Sequence, residues 1–338
     1  MNMRTLKTAL AGLLTLGLSG AAKADPVSDF YTGKTVNVII GYSVGGGYDL
    51  YARLLSRFFA DHMPGSPTVV PQNMTGAGSL KAALYLASIA PKDGATFGTF
   101  GRSVVLEPLF SGAKFDPQKF SWLGSVTSDS SLCVSWADSP IKTWDDLMTK
   151  QARMGGQANG SDPDVYASIL KTLFGSNLRL VTGYPGNNEM ALALERGELD
   201  GFCGLSWSSL LGRHRDWIDG HKINILVKAS AGGDDQIQAP QMLDKLTDPK
   251  KRAALSLILA TQAMARPFTA PPGLPADRLA ALRKAFLDTV NSAEFRAEAD
   301  KLGLDVAPVT AQEVEKRLAD IYSQPPEVVA LAKQAVGQ

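Results

Sequence analysis

The segment Gly41-Tyr42-Ser43-Val44-Gly45 spells G-x-S-x-G, the pattern in which a tight strand-to-helix turn lifts a serine hydroxyl for nucleophilic attack. A secreted hydrolase would use Ser43 in that role. The pattern, however, follows the first strand-like run of the chain, where no earlier strand–helix loop exists to supply oxyanion donors. A phosphate loop fails because no Lys-Ser or Lys-Thr follows the glycines, and the dinucleotide fingerprint lacks its third glycine at the required spacing. What the spacing supports is a Gly-rich turn through Ser43, Gly45, Gly46, Gly47 and Tyr48, with Asp49 placed to start a helix. Such a turn presents unpaired N–H groups and the positive end of a helix dipole, which is the chemistry of an anion cradle. A plain strand–helix turn is the alternative, and the residues alone leave both open.

Similar loops recur. Gly76-Ala77-Gly78-Ser79 precedes a helical pattern, Gly101-Arg102-Ser103 follows a strand, and Asn159-Gly160-Ser161 and Gly183-Tyr184-Pro185-Gly186 precede two more helices, the latter opening at Asn187. Together they point to a shared anion site built largely from backbone. Arg102 adds a forked partner suited to a carboxylate, and a direct ligand contact is expected of it. Trp136, Trp207 and Tyr184 either stack on a ligand or fill core. His62, His214 and His221 show no metal-binding spacing, and no metal or cofactor is expected.

These loops must be held by regular elements. Thr35–Ile40, Pro67–Gln72 and Ala95–Phe100 read as strands, with helices over Asp49–His62 and Leu80–Ala90 between them. This βαβαβ order predicts a parallel sheet covered by helices on both faces. A second cycle has strands at Leu132–Trp136, Leu178–Thr182, Asp200–Gly204 and Ile223–Lys228. Its helices run from Thr143 to Gln151, Asp162 to Phe174 and Asn187 to Arg196. From Pro240 the chain reads as mostly helical, with Ala276–Asn291 and Ala311–Tyr322 the clearest segments. Two α/β units follow, with the cleft between them as the natural site.

The chain has 338 residues, 34 basic against 33 acidic, so a strongly basic nucleic-acid binder is disfavoured. With 45% hydrophobic and 20% charged residues, long disorder is disfavoured as well. Arg4 and Lys7 precede a short apolar run, Ala9–Leu18, and Ala22-Lys23-Ala24 fits the small-x-small rule for signal peptidase, so residues 1–24 are expected to be a cleaved export signal. The run is about half the ~20 residues that a membrane-spanning helix needs. Export would place Cys133 and Cys203 in an oxidising compartment, where two thiols of one chain often pair. Two buried small hydrophobes that never meet are the alternative.

In order along the chain, the motifs resemble those of the solute receptors of tripartite tricarboxylate transporters, the Bug or TctC family. The family's first strand, Gly-rich loop and Ala-Arg helix are matched by Ile39-Ile40-Gly41 through Asp49-Leu50-Tyr51-Ala52-Arg53. Its Val-Val-x-Asn-x-x-Gly-Ala-Gly element is matched from Val69-Val70 to Gly76-Ala77-Gly78, and its Pro-x-Asp-Gly by Pro91-Lys92-Asp93-Gly94. Later matches are Tyr184-Pro185-Gly186, Gly197-Glu198-Leu199-Asp200 and Ala270-Pro271-Pro272-Gly273-Leu274-Pro275. Val44, Arg102 and Phe202-Cys203-Gly204-Leu205 depart from the usual pattern.

The resemblance implies a two-domain Venus-flytrap protein of the type II periplasmic-binding class. One domain would comprise residues 26–128 plus 230–338, the other 129–229, with the ligand cleft between them. It further implies a monomer, not an enzyme, that captures a small organic carboxylate in the periplasm and hands it to membrane permease subunits. A sensor presenting its closed form to a membrane kinase is the runner-up. Asp49 is expected to order its loop rather than do chemistry. Backbone groups of 45–49 and 76–79 would hold one end of the anion. Ser161, Tyr184, Gly186 and Asn187, with Ser206 and Trp207, would close on the other.

Overall fold

A computed structural model describes residues 25–230 and 237–337; the expected export signal, 1–24, lies outside the described residues. In chain order come α1 (Pro26–Tyr31), β1 (Thr35–Ile40), α2 (Gly47–Phe58), β2 (Thr68–Asn73), α3 (Leu80–Ser88), β3 (Thr96–Thr99), α4 (Glu107–Phe110) and β4 (Ser121–Ser125). The chain then crosses to β5 (Ser131–Trp136), α5 (Trp144–Thr149), β6 (Arg153–Gly155), α6 (Asp162–Thr172), β7 (Arg179–Val181), α7 (Asn187–Glu195), β8 (Gly201–Ser206), α8 (Trp207–Arg213), α9 (Arg215–Asp219) and β9 (Ile223–Ala229). It returns through α10 (Pro249–Leu259), β10 (Pro267–Ala270), α11 (Ala276–Asn291), α12 (Ala293–Lys301), β11 (Val309–Thr310), α13 (Ala311–Tyr322) and α14 (Pro326–Ala335).

Among the described residues two sheets form, ordered β11-β4-β10-β3-β1-β2 and β7-β6-β8-β5-β9. Strands β1, β2 and β3 pair in parallel, as the βαβαβ order requires. The sheet is mixed, however, because β10 inserts antiparallel between β3 and β4, and β11 closes the edge antiparallel to β4. In the second sheet β6 is parallel to β7 and β8, whereas β5 is antiparallel to β8 and β9.

Side-chain alternation along β1 explains the layering. Val36, Val38 and Ile40 face a core shared with Leu54 and Leu55 of α2 and with Leu282 and Phe286 of α11. Ile39 faces the other way, into a core shared with Ala82, Ala83 and Leu86 of α3. A strand buried on both faces needs apolar residues at successive positions, and the run Val-Ile-Ile supplies them. In the second lobe Leu132 and Val134 pack with Met190 and Leu194 of α7, while Cys133 turns to the opposite face. There it forms a disulfide with Cys203 across the β5–β8 pair. Capping boxes, Thr143 with Asp146 and Thr310 with Glu313, fix the starts of α5 and α13.

Strands β4, β6, β10 and β11 are not evident in the sequence. They are short, and Ser121-Trp122-Leu123-Gly124-Ser125 or Pro267-Phe268-Thr269-Ala270 lacks the β-branched runs that mark β1. Their strand character comes from neighbours already in place. The C-terminal region also differs from a simple assignment to the first lobe. Helix α14 packs on α10 and reaches α6, where the Thr172 hydroxyl donates to the Ala335 carbonyl at 2.7 Å.

Candidate functional site

The loop after β1 is shaped by one carboxylate. Asp49, 1% exposed, accepts the Gly45 N–H at 2.7 Å and the Asn73 side-chain amide at 2.8 Å, and pairs with Arg53 at 2.9 Å. These bonds fold residues 43–47 back over the start of α2, and Gly45 adopts φ +80°, a conformation that suits glycine. Asp49 thus orders the loop and has no free oxygen turned to solvent chemistry. The loop after β2 is strained: Gly76, Ala77, Gly78 and Ser79 all have positive φ, and the Ser79 hydroxyl accepts the Gly101 N–H at 2.7 Å. An alanine and a serine in this region each cost about 1–2 kcal/mol.

The two lobes touch across these loops. A Cβ placed on Gly47 would lie 2.5 Å from the Ser209 hydroxyl, one on Gly78 3.1 Å from the Ser161 nitrogen, and one on Gly186 2.8 Å from the Ser43 hydroxyl. Ser103 donates to the Gly160 carbonyl at 3.1 Å. A cavity remains between the lobes. Its first-lobe wall is Tyr42, Ser43, Gly46, Gly47, Tyr48 and Arg266, and its second-lobe wall includes Gly186, Asn187, Asn188, Ser206, Arg213 and His214. The N-termini of α2 and α7 open onto it at Gly46 and Gly186, and neither has a side-chain cap on its N–H groups.

The expected residues divide into groups. Ser43, Gly46, Gly47, Tyr48, Gly186, Asn187 and Ser206 line this cavity, with Gly45 and Asp49 supporting it from behind. Gly76, Ala77, Gly78, Ser79 and Tyr184 instead line a neighbouring cavity, with Tyr42 and Gln157 forming wall of both. Trp207 lines a third, beside Asp129 and Ile237. Ser161 is fully buried and donates to Asp164 at 2.7 Å.

Arg102 is where the structure departs most from expectation. It is 1% exposed, pairs with Asp162 at 2.8 Å and donates to the Ser131 hydroxyl. Burial works against its charge, but Asp162 together with Tyr48, Tyr166 and Asp129 outweighs it, and the guanidinium holds its proton above the ordinary value. The guanidinium is therefore a bridge from one lobe to the other and does not line the main cavity. The expectation of a direct ligand contact rested on its place after a strand, which does not report burial.

Residues with no sequence signal take over. Arg266 is buried, pairs with Asp129 at 3.3 Å and stacks over Tyr48, itself stacked on Tyr42 at 4.6 Å. Arg213 lines the cavity with its Nη1 buried and without a partner, and burial lowers its pKa, with Asp49 and Glu189 pulling the other way. His214 beside it is held below the ordinary imidazole value by burial and by the charge of Arg213. They stand at the far end of α8, the helix that follows β8, where no spacing rule distinguishes them from surface residues. Among the described residues no hydrogen bond joins a histidine to the Ser43 hydroxyl, and no cluster of acidic, histidine or cysteine side chains is placed to hold a metal.

Two α/β lobes with a cavity between them form the fold seen in periplasmic binding proteins. The structures this one resembles are Bug- and TctC-type periplasmic solute-binding proteins. The periplasmic binding protein BugD superposes with TM-score 0.69 at 18% identity over 90% of this chain and 98% of its own. Malate-bound MatC of Rhodopseudomonas palustris gives 0.67 at 19% identity, covering 89% and 99%. An adipate-bound protein of R. palustris gives 0.66 at 16%, covering 88% and 97%. No protein-family model matches the chain. A Cupriavidus necator protein described as the UPF0065 protein in gbd 5'region is 28% identical over 197 residues. That match spans 56% of this chain and 58% of the relative's length, less than two thirds of it.

Proposed function

We propose that this protein is an extracytoplasmic solute receptor that captures a small organic carboxylate between its lobes and delivers it to the permease of a tripartite tricarboxylate-type transporter. The observation that carries the reading is that Arg213, whose buried Nη1 has no partner, lines one cavity together with the uncapped N-termini of α2 and α7. A carboxylate bound there gains charge-assisted hydrogen bonds of about 1.5–3 kcal/mol each. The malate and adipate bound by the neighbours named above support the ligand class. Ligand bridging both lobes favours the closed form. A monomer exported to the periplasm suits this shuttle.

The test is a thermal-shift screen against organic acids, using protein unfolded and refolded to strip any carried ligand. Ligand at a hundredfold excess over its dissociation constant stabilises by about 2.7 kcal/mol. A midpoint rise with a carboxylate supports the reading, and none across mono-, di-, tri- and aminocarboxylates defeats it. An active-site serine probe is expected to leave Ser43 unlabelled.

A further inference from the structure

Helix α6 packs on β8 of the second sheet, yet it is tied along its whole length to residues outside its own lobe. At its start Asp162 pairs with Arg102, and just before it the Gly160 carbonyl accepts the Ser103 hydroxyl at 3.1 Å. In its middle the buried Tyr166 hydroxyl accepts the Gln262 side-chain amide, from the turn between α10 and β10. At its end Thr172 donates to the Ala335 carbonyl of α14, and Lys251 of α10 donates to the Leu173 carbonyl at 3.5 Å. Apolar side chains continue the seam. Ile169 and Leu170 of α6, Ile258 of α10, Leu318 and Ile321 of α13 and Ala332 of α14 belong to one buried cluster. Because α13 packs on β4 of the first sheet, that cluster runs unbroken from lobe to lobe.

The opposite edge of the cleft is built differently. There the loop after β1 meets α7 and α8, with Gly45 beside Asn188 and Arg213 and Ser43 beside Gly186. Among the described residues no hydrogen bond or ion pair joins residues 43–47 to the second lobe. Parting the lobes at this edge exposes polar loops that water resolvates. Parting them along α6 would expose a continuous apolar core and leave the buried Arg102 charge without its partner. We propose that α10 and α14 strap α6 to the first lobe, so that the cleft opens at its α7–α8 edge while α6 lies along the axis of the movement. The C-terminal helix is then a working part of the closing device rather than a passive end of the first lobe. This rests on the solute-receptor reading and adds which edge of the cleft admits the solute.

The test is double electron–electron resonance on refolded, ligand-free protein carrying spin labels in pairs, the native cysteines being bonded to each other. One pair, Arg57→Cys with Leu192→Cys, spans the cleft from α2 to α7 at exposed positions. The other, Lys171→Cys with Lys316→Cys, spans the strap from α6 to α13, also at exposed positions. The distance distribution of the cleft pair is expected to be at least twice as wide as that of the strap pair. Ala332→Asp, which puts a charge into the buried contact of α14, is expected to widen the strap pair with the circular-dichroism spectrum retained. Thr172→Val, which removes only the hydrogen bond to Ala335, is expected to widen it less. A strap pair as wide as the cleft pair overturns the proposal, and so do two narrow distributions, because then neither edge swings. Strap pairs left unwidened in the folded variants overturn it as well, since α14 would then not be what holds α6. Each of these failures leaves the receptor reading standing, because that reading falls only with the organic-acid screen.

Discussion

The guanidinium of Arg102, on the turn after β3, lies 2.8 Å from the carboxylate of Asp162 at the start of α6 in the other lobe. The side chains are 1% and 15% exposed, so the pair sits where the lobes meet rather than on a surface. Removing one member of such a pair leaves the other charge buried, at about 3–5 kcal/mol. Arg102→Met is therefore expected to lower the free energy of unfolding by that amount in urea. Adding Asp162→Asn is expected to recover part of the loss. A single-variant loss under about 1 kcal/mol would show that the pair does not hold the lobes together.

Closure needs a residue without a side chain at position 47, where a Cβ would meet the Ser209 hydroxyl at 2.5 Å and Arg266 at 3.3 Å. Alanine suits the first turn of an open-lobe helix better than glycine does. Gly47→Ala is thus expected to keep its circular-dichroism spectrum while binding ligand at least tenfold more weakly. Its radius of gyration with ligand present should exceed that of the unmodified protein. Equal compaction in scattering would contradict the closed geometry.

Asp49 controls the loop through the Gly45 and Asn73 hydrogen bonds, while its partner Arg53 is 41% exposed and contributes less because solvent screens it. Asp49→Ala is expected to cost about 1.5–3 kcal/mol of ligand affinity, the worth of bonds to a charged acceptor. Calorimetry on the variant measures this directly. Undiminished affinity would remove the loop from the site.

The Cys133–Cys203 disulfide closes a segment with a sequence separation of 70. Chain-entropy arguments assign such a crosslink about 4 kcal/mol, acting on the unfolded state. Replacing both cysteines by serine should lower stability towards that figure, and intact mass before and after reduction should differ by two hydrogens. An unchanged mass would mean the thiols are free.

His214 gives the stability its pH dependence near neutrality. Burial and Arg213 hold its pKa below the ordinary 6.5, so the unfolded chain binds the proton more readily than the folded one. Its contribution is full above pH 6.5 and is lost as the pH falls through the lower folded value. His214→Gln should flatten the fall in unfolding midpoint below that pH. A slope unchanged in the variant would assign it to other groups.

The sequence by itself determined the alternating strands and helices, because β1 must be apolar on both faces and α5 carries its own cap in Thr143 and Asp146. It also marked the Ser43–Asp49 loop as a Gly-rich turn with uncapped N–H groups, though not whether that turn binds an anion or only joins a strand to a helix. Tertiary structure alone decided which loops share a cavity: Gly76–Ser79 face a neighbouring space because Tyr42 and Gln157 stand between. It also sorted the arginines. Arg102 looked like a ligand partner and is a bridge between lobes, while Arg213, which carries no signal in the sequence, lines the cavity. Local pattern records the turn in which an arginine sits. Burial and pairing depend on residues such as Asp162, sixty positions further along the chain, which only the packed lobes bring within reach.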